Sequence, residues 1–340
     1  MSSTIVRAFG LVIHTNIPIP GLENAAVSAV SDLPLRVELH QGLRLASDDA
    51  VRAGRVLGVM RETDEEDSPA VVIRHLEAEG LYQFAYRDGT EFVIDPGGTH
   101  VRGTWAAGAT IEDTATYLLG PILAFVLRLR GLLAMHASAV EMEGGAVLLT
   151  GPSGAGKSTT AAAFALNGWP VLTDDVAVVA ARGDALEVVP SYPRVRLWDD
   201  SVAGLLGASE ALPLLTPSWE KRYLPLGTDD AAFSAQPLPL RAIFLLRERE
   251  ESDQAPRIEP VTPLAAFPAI IGNLLAGQAF ADESAEVAFR FSTRLVQRVP
   301  VFALTAHADP ARLPELCRLV ADRVAALPRP SAAPGAATHV

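Results

Sequence analysis

Short runs rich in β-branched and aromatic residues dominate the first third of the chain: Ile5–Ile13, Leu35–Leu39, Ala70–Ile73, Tyr82–Tyr86 and Glu91–Ile94. Turn-forming clusters such as Arg87-Asp88-Gly89 and Asp95-Pro96-Gly97-Gly98 separate them, so residues 1–110 are predicted to be a mostly β N-terminal domain. At Ile111 the period changes. Leu118, Leu119, Ile122, Leu123, Val126 and Leu127 recur at three and four, which predicts a connecting helix over 111–130. The acidic run Glu62–Asp67 reads as a solvated loop.

The pattern then alternates between strand and helix. Strands are predicted at Ser138–Met142 and Ala146–Thr150, a helix from Lys157 to Leu166 closed by Asn167-Gly168, and a strand at Trp169–Thr173. Strand, loop, helix, strand is a βαβ unit and predicts a parallel sheet. A hairpin over Val176–Ala181 and Leu186–Val189 follows, turning at Arg182-Gly183-Asp184, then a short helix at Ser201–Leu206 and an irregular segment to Pro225. Ala242–Leu246 and Val301–Thr305 read as strands, and Ala265–Leu275, Glu286–Val299 and Ala311–Ala326 as helices. The second domain is thus α/β over 131–327, and the Pro/Ala/Gly-rich residues 328–340 are predicted to be a disordered tail.

With 49% apolar and 20% charged residues the 340-residue chain has the composition of a globular protein with a substantial core. Its net charge of −12 and the absence of a dense basic block argue against a nucleic-acid partner. The most apolar stretch, Leu118–Met135, is interrupted by Arg128 and Arg130, so no membrane span is expected. No signal peptide is expected from the first residues, and the single cysteine, Cys317, excludes an internal disulfide; both readings lead to an expected cytoplasmic location. His14, His40, His75 and His100 show no metal-ligand spacing.

The chemistry concentrates after Thr150. Gly151-Pro152-Ser153-Gly154-Ala155-Gly156-Lys157-Ser158 satisfies the Walker A pattern of Gly, four residues, Gly-Lys-Ser. The glycines let backbone N–H groups turn inward where a Cβ would block an anion, and the following helix presents its positive end. Lys157 is placed to reach β and γ phosphates and Ser158 to hold Mg²⁺, with Thr159 closing the loop. The implied cofactors are ATP and Mg²⁺. Asp174 and Asp175 follow the next strand, at the edge where ligands of parallel sheets bind, and are either an acidic metal anchor with a catalytic base or solvated turn residues.

Of 28 basic residues only Lys157 and Lys221 are lysines. Where Arg is used almost throughout, a retained Lys points to a place where a compact ammonium is needed. Lys221 and Arg222 are therefore candidates for a second charge clamp, the alternative being surface ion pairs. Arg194 and Arg196 alternate on a predicted strand, so both face one side; they read as a solvated face, the alternative being binding of phosphate or an acidic peptide.

These pieces resemble the HPr kinase/phosphorylase family, itself similar to phosphoenolpyruvate carboxykinase around the nucleotide. The resemblance rests on Leu133-Ala134-Met135-His136-Ala137-Ser138, the loop from Gly151 to Ser158, and Leu172-Thr173-Asp174-Asp175, strong over about 130–180 and weaker to about 325. It implies a P-loop kinase domain in which Lys157 contacts phosphate, Ser158 and Asp175 hold Mg²⁺, Asp174 takes the acceptor proton, and His136 lies beside the reacting phosphate. A core histidine satisfied by backbone is the alternative for His136. Two departures point away from HPr as the substrate, and from a phosphorylase activity and a hexamer. Thr159 stands where the kinase/phosphorylases have Glu, and the Pro-Val run ending Gly-Arg-Asn is absent. The chain looks instead like the divergent group whose members phosphorylate a serine of lasso-peptide precursors, a likeness that extends to Ala8-Phe9-Gly10-Leu11 and Leu118-Leu119-Gly120-Pro121. The expected partner is a peptide or protein with a Ser/Thr acceptor, recognised by the N-terminal domain; homo-oligomerisation is left open. A small-molecule kinase and a nucleotide-gated binding protein are the alternatives.

Overall fold

The computed structural model describes residues 4–23, 34–60, 69–183, 185–275 and 285–328. The predicted acidic loop, Asp184 of the predicted turn and, but for Pro328, the predicted tail lie outside them.

The N-terminal region forms an eight-stranded mixed sheet ordered β1-β2-β3-β8-β7-β6-β5-β4. It contains β1 (Thr4–Ala8), β2 (Leu11–Thr15), β3 (Pro34–Gln41), α1 (Asp48–Ala53), β4 (Arg55–Met60), β5 (Val71–Leu76), β6 (Leu81–Tyr86), β7 (Glu91–Ile94) and β8 (His100–Trp105). The run Ile5–Ile13, predicted as one strand, is a hairpin: Phe9 and Gly10 adopt φ of 55° and 74° and fold β2 back on β1. Apart from Arg7 the run Ile5–Ile13 is apolar throughout, so the pattern carried no mark of the turn.

The predicted connecting helix is two helices. α2 (Ile111–Tyr117) starts at a capping box in which Thr110 and Asp113 bond each other's backbone N–H. A π-type turn at Leu118–Ile122 leads into α3 (Leu123–Leu129), with Gly120 at φ −106° and ψ −105° and Pro121 lacking the N–H that a continuous helix needs. Both helices lie against the sheet, where Phe125 meets Phe84 edge-on. The same apolar core takes in Ala134, Val176, Val178, Val189 and Tyr192 of the second region, so the two regions share a packed seam.

The second region comprises β9 (Leu133–Met135), β10 (Ala137–Met142), β11 (Gly145–Thr150), α4 (Lys157–Leu166), β12 (Val171–Thr173), β13 (Ala177–Arg182), β14 (Ala185–Val189), β15 (Arg194–Trp198), α5 (Asp199–Leu206), β16 (Lys221–Pro225), β17 (Leu238–Leu246), β18 (Arg257–Val261), α6 (Pro263–Gly272), α7 (Ala285–Arg298), β19 (Val301–Thr305) and α8 (Leu313–Ala325). Nine of these strands make one sheet, while β15 and β16 form a separate ribbon. Side chains alternate across the sheet. Val147, Leu149, Phe244 and Leu246 pack under α4 and α8, whereas Leu148, Ile243 and Leu245 pack under α6 and α7. Cys317 is buried on α8.

The architecture is mixed α/β, but the predicted βαβ pairing is not as expected. β11 and β12 run in the same direction with β10 between them, antiparallel to both. The tight β10–β11 hairpin takes the edge of β11 that β12 would otherwise occupy. The parallel pairs of this sheet are β11–β17 and β17–β19. The irregular segment expected before Pro225 contains β16, whose pairing with β15 shapes the site.

Candidate active site

Because β11 and β12 share a direction, the loop 151–156 and the Asp174-Asp175 pair leave the sheet at the same edge. The loop curls as its glycines predict, with Gly154 at φ 78° and Gly156 at φ 91°. A Cβ on Gly151 would approach Leu246 O to 2.9 Å, and one on Gly156 would approach the Arg249 guanidinium to 2.6 Å. Lys157 is buried and donates to Gly151 O and Pro152 O, each at 2.9 Å. Burial lowers the Lys157 pKa, and the charges of Asp175 and Asp174 oppose that shift.

The two aspartates sit in opposite surroundings. Asp174 is 3% exposed. It accepts from Ser138 Oγ at 2.7 Å and from the Arg196 backbone N–H at 2.9 Å, and the Ser158 hydroxyl adds a third, weaker stabilising influence on its charge. Burial and then the Asp175 charge raise its pKa, against those three donors. Asp175, in the left-handed region at φ 69°, turns its carboxylate into the pocket and keeps 32% side-chain exposure. Its Oδ1 lies 3.2 Å from His136 Nδ1 and its Oδ2 lies 3.4 Å from Arg196 NH1. Burial alone would raise its pKa, but the hydrogen bond from His136 and the charges of Arg196, His136 and Lys221 hold it well below the usual carboxylate range.

His136 bridges β9 and β10. Its backbone N–H donates to Asn273 O at 2.7 Å and its carbonyl accepts from Thr150 Oγ1 at 3.1 Å, which fixes its backbone, while ring Nδ1 lies 3.1 Å from Asp175 O. The β15–β16 ribbon forms the opposite wall. Trp198 pairs in register with Lys221, whose Nζ lies 4.4 Å from the centre of the indole ring. Burial lowers the Lys221 pKa while Asp175 raises it. Arg222, the next residue, points elsewhere: its Nε donates to Asp199 at 2.8 Å and its NH1 to Leu212 O at 2.7 Å.

These groups enclose a cavity of about 230 Å³ lined by His136, Ser153, Gly154, Gly156, Lys157, Ser158, Thr159, Asp175, Arg196, Leu197, Trp198, Ser201, Lys221 and Arg249. That is below the ~300–1,000 Å³ of sites that take a whole drug-sized ligand, and it suits a phosphate chain. Of the sequence candidates, Lys157, Ser158, Thr159, His136, Asp175 and Lys221 come together here, with Asp174 behind them and Arg222 outside. Gly151, Pro152 and Ala155 carry the loop without lining the cavity.

Trp198, Ser201, Arg249 and Ser138 were not singled out for the site, and for Arg196 phosphate binding was only the alternative reading. Arg196 was read with Arg194 as a solvated face; in fact it is enclosed, and Arg194 stacks on Tyr223 and pairs with Glu23. Alternation on β15 put both on one side but gave no hint that the side was covered. Arg249 is written into the charged run Arg247-Glu248-Arg249-Glu250, which looks like any solvated turn.

The donor set fits a nucleotide with a hard divalent cation. Ser158 and the carboxylates offer oxygen ligands. Among the described residues no cluster of three or more His, Cys, Asp or Glu could form an all-protein metal cage. Mg²⁺ characteristically takes one or two protein oxygens and completes its shell with phosphates and water.

Comparisons with known proteins give three likenesses. Residues 116–195 match the family described as SynChlorMet cassette protein ScmC. A segment of 94 residues is 39% identical to the HPr kinase/phosphorylase of Lactobacillus delbrueckii subsp. bulgaricus, covering 26% of this chain and 29% of that protein. The chain is thus HPr kinase-like in part. The chain spans under a third of the length of that HPr kinase/phosphorylase. The solved HPr(Ser) kinase/phosphatase of Coxiella burnetii aligns with 56% of this chain and 95% of its own, at 14% identity and a TM-score of 0.29. Among the described residues no helix is long and apolar enough to cross a membrane.

Proposed function

We propose that this protein is a Mg-ATP-dependent kinase that phosphorylates a Ser/Thr hydroxyl of a peptide or protein, with a ribosomally made precursor peptide of lasso type as the leading acceptor. The observation that carries the reading is the meeting of Lys157 and Ser158 with a carboxylate pair at one sheet edge, faced by Arg196 and Lys221 across a small cavity. When bound, ATP supplies the phosphoryl group and Mg²⁺ neutralises its charge. The chain's own task is then positioning and electrostatics, which is most of what phosphoryl transfer asks of a protein.

Each residue has a task in this scheme. The loop N–H groups and Lys157 cradle the phosphates, and Arg249 closes over Gly156. Arg196 and Lys221 face the transferred group, where added positive charge is worth orders of magnitude in rate. The surroundings of the two aspartates favour a division of labour opposite to the one implied by the family resemblance. Asp174, whose charge the Ser158 hydroxyl favours, serves the metal side. Asp175, open to the cavity and aligned by His136, receives the acceptor hydroxyl. A carboxylate with bonds on both oxygens and 3% exposure has no free edge for an acceptor. The N-terminal domain, proposed as residues 1–110, recognises the acceptor, and residues 131–327 form the catalytic domain.

The test is mass spectrometry of the peptides encoded beside the gene after incubation with the protein, Mg²⁺ and ATP. The expected result is a gain of one phosphate on Ser or Thr that disappears with Lys157→Ala and with Asp175→Asn. Transfer only to small metabolites would replace the acceptor class. ATP binding with no transfer to either would leave a nucleotide-gated binding protein.

A further inference from the structure

The β1–β2 turn carries an unusual residue. A two-residue hairpin turn with both residues at positive φ is normally filled by Asn, Asp or Gly, because a larger side chain strains there. Here its first position is Phe9, at φ 55° and fully buried. Local preference has been overridden, which in native proteins marks a position with a task elsewhere.

The ring of Phe9 meets Tyr192 edge-on, with centroids 5.8 Å apart, and the Phe9 N–H donates to Pro190 O at 3.1 Å. The turn of the N-terminal sheet is thereby locked onto the segment that enters β15. Tyr192 is buried, and its Oη accepts from Arg196 Nε at 3.0 Å and also from Arg196 NH2. The remaining guanidinium nitrogen, NH1, lies 3.4 Å from Asp175 Oδ2. Asp175 is itself at positive φ and pairs with His136. The broken helix backs the same ion pair: a Cβ on Gly120 would lie 3.9 Å from both Arg196 NH1 and Asp175 Oδ2. A continuous chain of contacts therefore runs from the N-terminal turn to the pocket carboxylate, with a strained non-glycine residue at each end.

We infer that Phe9 and Tyr192 are positioning residues for the transfer centre: the N-terminal turn fixes the Tyr192 phenol, the phenol aims Arg196, and Arg196 holds Asp175 toward the acceptor. This rests on the kinase reading above for its catalytic consequence, while the linkage itself rests on geometry. The N-terminal sheet thus acts on the turnover step as well as on any acceptor it recognises. Neither residue lines the cavity, so nucleotide binding should be spared.

The test uses the full-length protein with Tyr192→Phe, which keeps the ring against Phe9 and removes only the acceptor oxygen, and Phe9→Leu as a second variant. Three readouts are taken: affinity for a fluorescent ATP analogue, release of ADP from Mg-ATP, and the imidazole ¹⁵N resonances of His136, assigned with His136→Asn. The expected result for Tyr192→Phe is analogue affinity within about twofold of the parent, ADP release down about tenfold or more at unchanged KM, and displaced His136 resonances. Phe9→Leu should move in the same direction by less. Parental ADP release from Tyr192→Phe with the analogue still bound would overturn the inference. If the parent binds no analogue, the kinase reading falls. His136 then decides the linkage: unmoved resonances in Tyr192→Phe overturn it, and displaced ones support it.

Discussion

Ser138 Oγ donates to Asp174 Oδ1 at 2.7 Å, with both side chains closed to solvent. The bond ties the start of β10 to the first residue after β12 and fixes one oxygen of the buried carboxylate. Ser138→Ala removes the donor and leaves a buried charge short of a partner, a loss of roughly 1–3 kcal/mol. Denaturant unfolding should show that loss, and Ser138→Thr should recover most of it. Equal stability of Ser138→Ala and the parent would mean that Asp174 is held by its other donors alone.

The two aspartates are separable by what they lose. Asp175→Asn should keep nucleotide affinity and lower phosphate transfer by roughly 10²–10⁴-fold, the usual worth of a positioned acid–base group. Asp174→Asn should weaken apparent Mg²⁺ affinity by about tenfold or more, as changes in the shell around a metal do. Mg²⁺ titrations monitored through a bound ATP analogue give both numbers. Intact Mg²⁺ affinity in Asp174→Asn together with abolished transfer would restore the assignment implied by the family resemblance.

Lys221 and Arg222 were equivalent in sequence and are not in space. β16 sends Lys221 over Trp198 to the cavity and Arg222 to Asp199 and Leu212 O. Lys221→Ala should cut the catalytic constant on the order of 10²-fold with little change in stability. Arg222→Ala should leave the catalytic constant within about threefold and lower stability by about 1 kcal/mol, since Asp199 is partly solvated. Steady-state rates and melting curves on the two variants check this, and a rate loss in Arg222→Ala matching that in Lys221→Ala would contradict the geometry.

What could be read from the sequence was the part that is local. The loop from Gly151 to Ser158 needs only a strand before it and a helix after it, and α4 runs from Lys157 to Leu166 as its residues predict. Arg196 was misread because its burial depends on a ribbon partner, β16, contributed by a segment whose Pro-rich sequence gave no strand signal. The direction of the Asp pair was unreadable for a similar reason. Adjacent side chains diverge, but only the positive φ at Asp175 decides which one faces the cavity. The Phe9-Gly10 turn was equally illegible, because nothing in a nearly continuous apolar run reports a residue placed against its own backbone preference.

Asp95 gives the N-terminal sheet an acid-sensitive joint. Between β7 and β8 its carboxylate accepts from the N–H groups of Gly97, Thr99 and His100 at 3.1, 2.7 and 2.5 Å and from Thr99 Oγ1 at 3.0 Å. Burial would raise its pKa, but the bonds from His100 and Thr99, with Gly97, leave it lowered. Asp113, bonded by Ser218 and Thr110 at the start of α2, is lowered on the same grounds. A carboxyl that is more acidic folded than unfolded contributes stability fully above its unfolded pKa of about 3.9, and loses it as pH falls through that value toward the folded one. Asp95→Asn should therefore be less stable than the parent near neutral pH by roughly 1–3 kcal/mol. The gap should narrow below about pH 4 as the parent's own carboxylate takes up its proton. Urea unfolding of both proteins over a series of pH values measures the gap directly. A difference that stays constant into acid would show that the Asn side chain, and not the lost charge, causes the destabilisation.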